Sequence, residues 1–307
     1  MNTSRKKERE EYRAMGKGYY HLSTDGLKNG QIFNSVSEFA YGMLLMGLIF
    51  LKFSIKIYVF ELMPNHLHII LSGTGANCLE AFDYLKRKLS AMLIRDGYPP
   101  LPDDYWFNLE RIDSQEQMRA EILYVLRNPL EKGLGLVGNY LWGSGWIYYS
   151  GIPEALAGTP AGNMSKRRLA KLFGSETDIP DNWIIHPYMG LLPNSFVDVS
   201  LVHRLFPSPK DLQTALVKDY EVYFQIAKRL GEIAEFNKGE IEIIVNQTLQ
   251  KRFGGQELSK LSDQDKGKLA IILHREFGLT SFQISTSIFV REKVIRQLLA
   301  SKELKHY

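Results

Sequence analysis

Met63-Pro64-Asn65-His66-Leu67-His68-Ile69-Ile70-Leu71 is the stretch on which the reading of this chain turns. It follows the apolar, β-branched run Ile55 to Phe60 and leads directly into a second apolar run. Alternate side chains of a β-strand share a face, so His66 and His68 point one way and Leu67 the other. Two imidazoles on one strand face, backed by a buried leucine, make part of a metal site or a rigid polar pair. The spacing alone leaves both readings open, because a His-x-His pair also arises on an ordinary wet strand face.

Working outward, the next informative stretch is Tyr124-Val125-Leu126-Arg127-Asn128-Pro129. Ahead of it, Met118, Ile122, Val125 and Leu126 recur at helical spacing and predict a helix over Glu116 to Leu126. Tyr124 and Asn128 are four apart, so they stack on one face of its last turn. Pro129 disfavours a helical backbone at Asn128, which places the pair at a helix end. A phenol and an amide oxygen displayed together suit a nucleophile beside a metal ligand. They equally suit a core-edge tyrosine and a C-terminal capping asparagine.

In order, spacing and context, the two stretches together resemble the HUH single-tyrosine transposases. The Met-Pro-Asn-His-x-His form of residues 63–68, with Tyr124, Asn128, Pro129, Gly133 and Leu134, is similar to the REP-associated tyrosine transposase branch. The likeness runs from Gly18-Tyr19-Tyr20-His21-Leu22 to about Gly151, nearly half the chain. It implies a metal-dependent transposase or endonuclease that cleaves and rejoins single-stranded DNA at REP-like hairpins. It implies that Tyr124 is the nucleophile, forming a 5′-phosphotyrosine link and freeing a 3′-hydroxyl. It also implies that His66, His68 and Asn128 hold a divalent cation. Nitrogen and oxygen ligands without thiolate permit Mg²⁺ or Mn²⁺. His21, on the first strand, is a weaker candidate for the same site, and Arg127 a candidate charge stabiliser and DNA contact. Such enzymes occur as monomers and as dimers, so a homodimer stays open. Two departures are visible. Asp25 to Gly30 replaces the family's Arg-Gly pair after the first strand, and Leu141 replaces proline in its Tyr-Pro-Trp element.

Composition agrees without deciding. The 307 residues suffice for two domains, and a net charge of +4 with a pI of about 8.9 is compatible with nucleic acid. A single cysteine, Cys78, excludes an internal disulfide framework and a cysteine-based zinc cluster, and fits a reducing compartment. Arg5 to Glu11 carries both signs of charge with no apolar run behind it, unlike a signal peptide. The apolar run Phe39 to Leu51 is shorter than the roughly 20 residues that cross a bilayer. The expected setting is cytoplasmic and nucleoid-associated, with DNA and no membrane as partner.

Along the chain, residues 1–15 read as a solvated tail or helical arm. Strands are predicted at Tyr19–Thr24, Ile55–Leu62, Asn65–Ser72 and Tyr105–Ile112, with helices at Ser37–Phe53 and Leu79–Arg95 before the tyrosine helix. The expected fold class is therefore α+β: a ferredoxin-like antiparallel sheet with helices on one face, the HUH nuclease domain, over residues 1–151. Lys86 and Arg87, on the second of these helices, are candidate phosphate contacts. The aromatics of Tyr140 to Tyr149 suit packing over the sheet edge, and some suit stacking on bases. Residues 152–209 read as a linker and wrapping segment with a short basic helix at Met164–Phe173.

Residues 210–307 read as an all-α region. Helices are predicted at Asp211–Leu230 and Lys238–Arg252, then a helix-turn-helix over Lys266 to Leu299. There Gly278 breaks the first helix, Thr280 or Ser281 caps the second, and Phe282, Ile284 and Ile288 are expected inside. The third is expected to bury Val294 and Leu298 and to present Arg291, Lys293 and Arg296 to DNA. Rival functions differ in the residues that they need. A metal hydrolase or cupin needs further ligands, and His186, His203, His274 and His306 show no matching spacing. A non-catalytic DNA-hairpin-binding protein or regulator derived from a transposase is the stronger alternative. An RNA-binding module has charge in its favour but no motif.

Overall fold

The computed structural model describes residues 3–26, 30–149, 156–174, 178–218, 220–232 and 236–300. Part of the loop after the first strand, the start of the stretch 152–163 and His306 lie outside them. Two compact units divide the chain, Met1–Leu216 and Val217–Tyr307.

The first unit opens with α1 (Thr3–Ala14), β1 (Gly18–Thr24), α2 (Val36–Lys52), β2 (Lys56–Leu62) and β3 (Leu67–Gly73). It continues with α3 (Gly75–Arg95), β4 (Phe107–Ile112) and α4 (Gln115–Glu131). Side-chain oxygens set the helix starts. Ser35 and Glu38 form a reciprocal capping box on α2, and Thr74 and Ser114 cap α3 and α4. The four strands lie in the order β2-β3-β1-β4, each antiparallel to its neighbours. Each strand-helix-strand passage, β1-α2-β2 and β3-α3-β4, therefore straddles one intervening strand.

One sheet face carries Tyr20, Leu22, Leu67, Ile69, Phe60, Leu62 and Phe107, all buried. It packs on α2 and α3. Phe82 of α3 stacks on Phe107 at 4.3 Å, and a Cβ on Gly42 of α2 would meet Leu62. The opposite face carries His21, Ser23, Glu61 and His68, and α4 covers it. Helices thus lie on both faces, which corrects the expectation of one helical face: α4 has its own apolar side and needs its own surface. The N-terminal segment is likewise more than a solvated tail. Arg9 of α1 donates to Asp83 of α3, and Tyr12 packs on Phe107 with rings 5.1 Å apart.

Both outer strands are covered. Beside β2, the Leu62 N–H donates to the Trp142 carbonyl, the Ser144 N–H to the Phe60 carbonyl and the Asp198 N–H to the Ile57 carbonyl. The tyrosines of the aromatic tail add to this: Tyr140 Oη donates to the Leu62 carbonyl and Tyr148 Oη to the Tyr58 carbonyl at 2.7 Å. Trp142 stacks on Phe39 with centroids 4.9 Å apart. Beside β4, the Tyr12 hydroxyl accepts from the Leu109 N–H and donates to the Phe107 carbonyl.

The wrapping segment has structure of its own. β5 (Thr159–Pro160), α5 (Lys166–Phe173), β6 (Ile184–His186) and β7 (Gly190–Leu191) form a small sheet in the order β5-β6-β7 with a basic helix. Buried Trp183 meets Phe50 of α2, Phe173 and Phe196. α6 (Ser200–Leu205), α7 (Pro209–Lys218) and α8 (Tyr220–Leu230) follow; the last two cover the helix expected over 211–230, and Asp219 between them lies outside the described residues.

The second unit continues with α9 (Lys238–Arg252), α10 (Asp263–Phe277), α11 (Ser281–Ile288) and α12 (Glu292–Ala300). Gly278 ends α10 in the left-handed conformation, at φ 66°, where a Cβ costs most. Thr280 caps α11 with Gln283 in a capping box. Ile284 and Ile288 are buried, but Phe282 is 63% exposed. On α12 the buried residue is Ile295, and Val294 is 49% exposed. Leu298, the other residue expected inside, is half-buried, so only Val294 departs from the expectation, its place taken by Ile295. No helix among the described residues is long and apolar enough to cross a membrane.

Candidate active site

β2 and β3 meet in a tight turn in which the Met63 N–H donates to the His66 carbonyl at 2.9 Å. The Pro64 carbonyl accepts from the N–H groups of Ile32 and Phe33, tying this turn to the segment before α2. His66 is the last residue before β3 and His68 the second within it, so the two rings stand side by side, 4.9 Å apart and edge-on. Each offers a ligand nitrogen within 4.8 Å of the other's. His66 Nδ1 lies 2.7 Å from Asn65 Oδ1, an acceptor, so it carries the proton. His68 Nδ1 lies 3.1 Å from His21 Nε2. The nitrogens not used in these two bonds are the Nε2 atoms, both buried.

His68 sits across from Ser23 on β1 and Glu61 on β2, so all three share a face. Burial first, and the neighbouring His21 second, push the His68 pKa well below the usual imidazole range. A neutral imidazole is the ligating form. Glu61 is also fully buried, and burial pushes its pKa well above the usual carboxylate range despite a hydrogen bond from the Gly145 backbone.

α4 delivers the other half of the site. Tyr124 lies edge-on to His68 at 5.5 Å and 6.0 Å from the His21 ring. One turn later, the Asn128 Nδ2 donates to the Tyr124 carbonyl at 3.0 Å. That bond fixes the amide: Oδ1 points the other way, buried, and accepts no hydrogen bond among the described residues. A buried amide oxygen without a donor is costly, and a cation would satisfy it. The helix does not end at Asn128 as expected. It continues through Pro129 to Glu131, with the Lys132 N–H on the Asn128 carbonyl. Burial of this whole turn outweighs the one hydrogen bond that the proline removes.

By their chemistry these donors, two buried imidazole nitrogens side by side at the start of β3 and a buried amide oxygen on α4, are of the kind that a divalent cation accepts. Tyr124 is only 1% exposed and His68 and Asn128 are fully buried, so the site is closed in this arrangement.

The expected DNA contacts divide. Arg127 is buried, 2% exposed, with Nε on Glu131 and Nη1 on the Leu216 carbonyl at 2.8 Å. It is therefore turned inward, on a covered face of α4. Lys86 donates to the carbonyls of Asp103 and Tyr105, 2.8 Å each. Arg87 is exposed, its guanidinium over the Tyr84 ring. In the second unit Arg291 and Lys293 are exposed, while Arg296 is exposed but bonded to Glu292. Sequence reasoning passed over Glu61 and Glu121. Glu121 lies three residues before Tyr124, a spacing that puts both on one helix face and could have marked it. Its Oε2 is 2.9 Å from His21 Nδ1.

No family model and no curated protein matches the chain. A solved structure described as a REP-associated tyrosine transposase bound to a REP hairpin is similar at 14% identity, over 43% of this chain and 79% of that one, with a TM-score of 0.35.

Proposed function

We propose that this protein is a metal-dependent enzyme that cleaves and rejoins single-stranded DNA at hairpins, with Tyr124 as nucleophile. The observation that carries the reading is the placing of Tyr124 edge-on to His68, one turn from an Asn128 whose buried Oδ1 meets no donor among the described residues. His66, His68 and Asn128 would hold the cation, Mg²⁺ or Mn²⁺. Such an ion, when bound, offsets charge on the phosphate oxygens and orients the phosphodiester. The Tyr124 oxygen forms a bond to phosphorus as the bond from phosphorus to the 3′ oxygen breaks. The products are a 5′-phosphotyrosine and a 3′-hydroxyl, which reverses the step on rejoining.

In this reading residues 1–151 form the HUH nuclease domain, the strand order of its sheet being that of a ferredoxin-like fold. Residues 152–209 buttress α2. The helices over 210–307 supply a helix-turn-helix, α10 to α12, with Arg291 and Lys293 toward DNA. The setting is the cytoplasmic nucleoid, and a homodimer is compatible with it. The alternative, a non-catalytic hairpin-binding protein of the same descent, is favoured by one observation: Tyr124 is 1% exposed, so a strand reaches it only after the site opens.

The deciding experiment incubates the full chain with single-stranded hairpin oligonucleotides and Mn²⁺ and seeks a covalent adduct on a denaturing gel. Adduct formed by the wild type and absent with Tyr124→Phe is the expected result. Binding without adduct favours the alternative, and an adduct that survives Tyr124→Phe overturns the assignment of the nucleophile.

A further inference from the structure

We propose that Glu121 and His21 are a positioning pair that fixes His68 in its Nδ1–H tautomer and so presents Nε2 for ligation. The inference rests on the reading of His68 as a metal ligand. Three buried groups form a line across the interface of α4 with the sheet. Glu121 Oε2 lies 2.9 Å from His21 Nδ1, and His21 Nε2 lies 3.1 Å from His68 Nδ1. The side chains of Glu121 and His21 are both fully buried.

The direction of the line follows from the reading of His68 as a ligand through Nε2. Ligation there leaves the His68 proton on Nδ1, which donates to His21 Nε2. His21 then carries its proton on Nδ1, facing Glu121 Oε2. The His68 lone pair is left on Nε2. His66 reaches the same tautomer by a separate route, through Asn65 Oδ1. Each candidate imidazole thus has its own acceptor on Nδ1, the arrangement by which outer partners orient ligating histidines. Glu121 and Tyr124 stand one turn apart on α4, so the line also ties the tyrosine helix to the histidine strand.

The test is Glu121→Gln, close in shape but able to donate. With an amide at its end the line can reverse: His21 accepts at Nδ1 and donates at Nε2, and His68 accepts at Nδ1 and carries its proton on Nε2. Mn²⁺ alone, titrated into the full chain, is expected to bind about 10–100-fold more weakly to this variant than to the wild type. Nitrogen-15 NMR of the metal-free proteins is expected to show His68 as Nδ1–H in the wild type and Nε2–H in the variant. A wild-type His68 protonated on Nε2 overturns the proposal even if Glu121→Gln does not fold. So does a folded variant with unchanged tautomer and unchanged Mn²⁺ affinity. A wild type that binds no Mn²⁺ while showing the Nδ1–H tautomer overturns the metal site itself and not the direction of the line.

Discussion

The side-chain amide of Asn128 donates to the carbonyl oxygen of Tyr124, 3.0 Å away and one turn earlier on the same helix. The bond orients the amide and leaves the Tyr124 phenol untouched. Asn128→Ala is expected to lower Mn²⁺ affinity at least about tenfold. It is expected to cost only about 1 kcal/mol in stability, the worth of one neutral hydrogen bond. Calorimetric titration and urea unfolding of the same samples measure both, and an unchanged affinity removes Asn128 from the ligand set.

Arg127 answers a different question. Its guanidinium and the Glu131 carboxylate form an ion pair with side chains 3% and 0% exposed. Removing one partner of a buried pair strands the other charge, so Arg127→Ala is expected to destabilise by about 3–5 kcal/mol. Arg127→Met combined with Glu131→Leu is expected to recover most of that loss. Urea midpoints decide it. A stable Arg127→Ala that no longer binds DNA would reinstate the arginine as a phosphate contact.

Glu61 predicts a pH dependence. Burial raises its folded pKa well above the ordinary glutamate value of 4.5, so the folded state holds the proton more tightly than the unfolded chain. Its contribution is fully present below pH about 4.5 and is lost as pH rises toward the folded pKa. Glu61→Gln keeps the neutral shape and is expected to flatten this loss, leaving the variant more stable than the wild type at pH 8 and close to it at pH 5. Denaturation at the two pH values checks the sign. Equal pH dependence in both proteins would mean that Glu61 is ionised in the fold.

The cations can be sorted by salt dependence. Removing one side chain that neutralises a phosphate is expected to reduce the slope of log affinity against log salt by about 0.7–0.9. Arg87→Ala should show that reduction, and Arg291→Ala with Lys293→Ala about twice as much. Lys86→Ala should leave the slope nearly unchanged, because its ammonium is already bonded to two backbone carbonyls. A full reduction for Lys86 would show that it releases those carbonyls for DNA.

Much of the candidate site was legible because its residues pair locally. His66 and His68 are two apart on one strand, and Tyr124 and Asn128 four apart on one helix, and period alone brings each pair together. Glu121 and His21 are 100 residues apart, and only the packing of α4 on the sheet joins them. The burial of Arg127 was hidden for the same reason: its position beside Asn128 is visible in sequence, but which face of α4 is covered is not. Pro129 was read as a stop because its local cost is known, while the burial that outweighs it is tertiary. On α12, Val294 and Ile295 are equally apolar neighbours, and packing decided which went inside.

The covering of β2 and β4 has a consequence for how copies of this chain can meet. Exposed strand edges invite a neighbouring molecule to extend the sheet, the route to strand-mediated dimers and to fibrous aggregates. Here the backbone groups along β2 are taken by residues 142–144 and 198, and those of β4 at positions 107 and 109 by Tyr12. A second copy would have to evict these segments before it could dock main chain to main chain. Self-association, where it occurs, is therefore left to side-chain surfaces, which single substitutions can tune or abolish without touching the sheet.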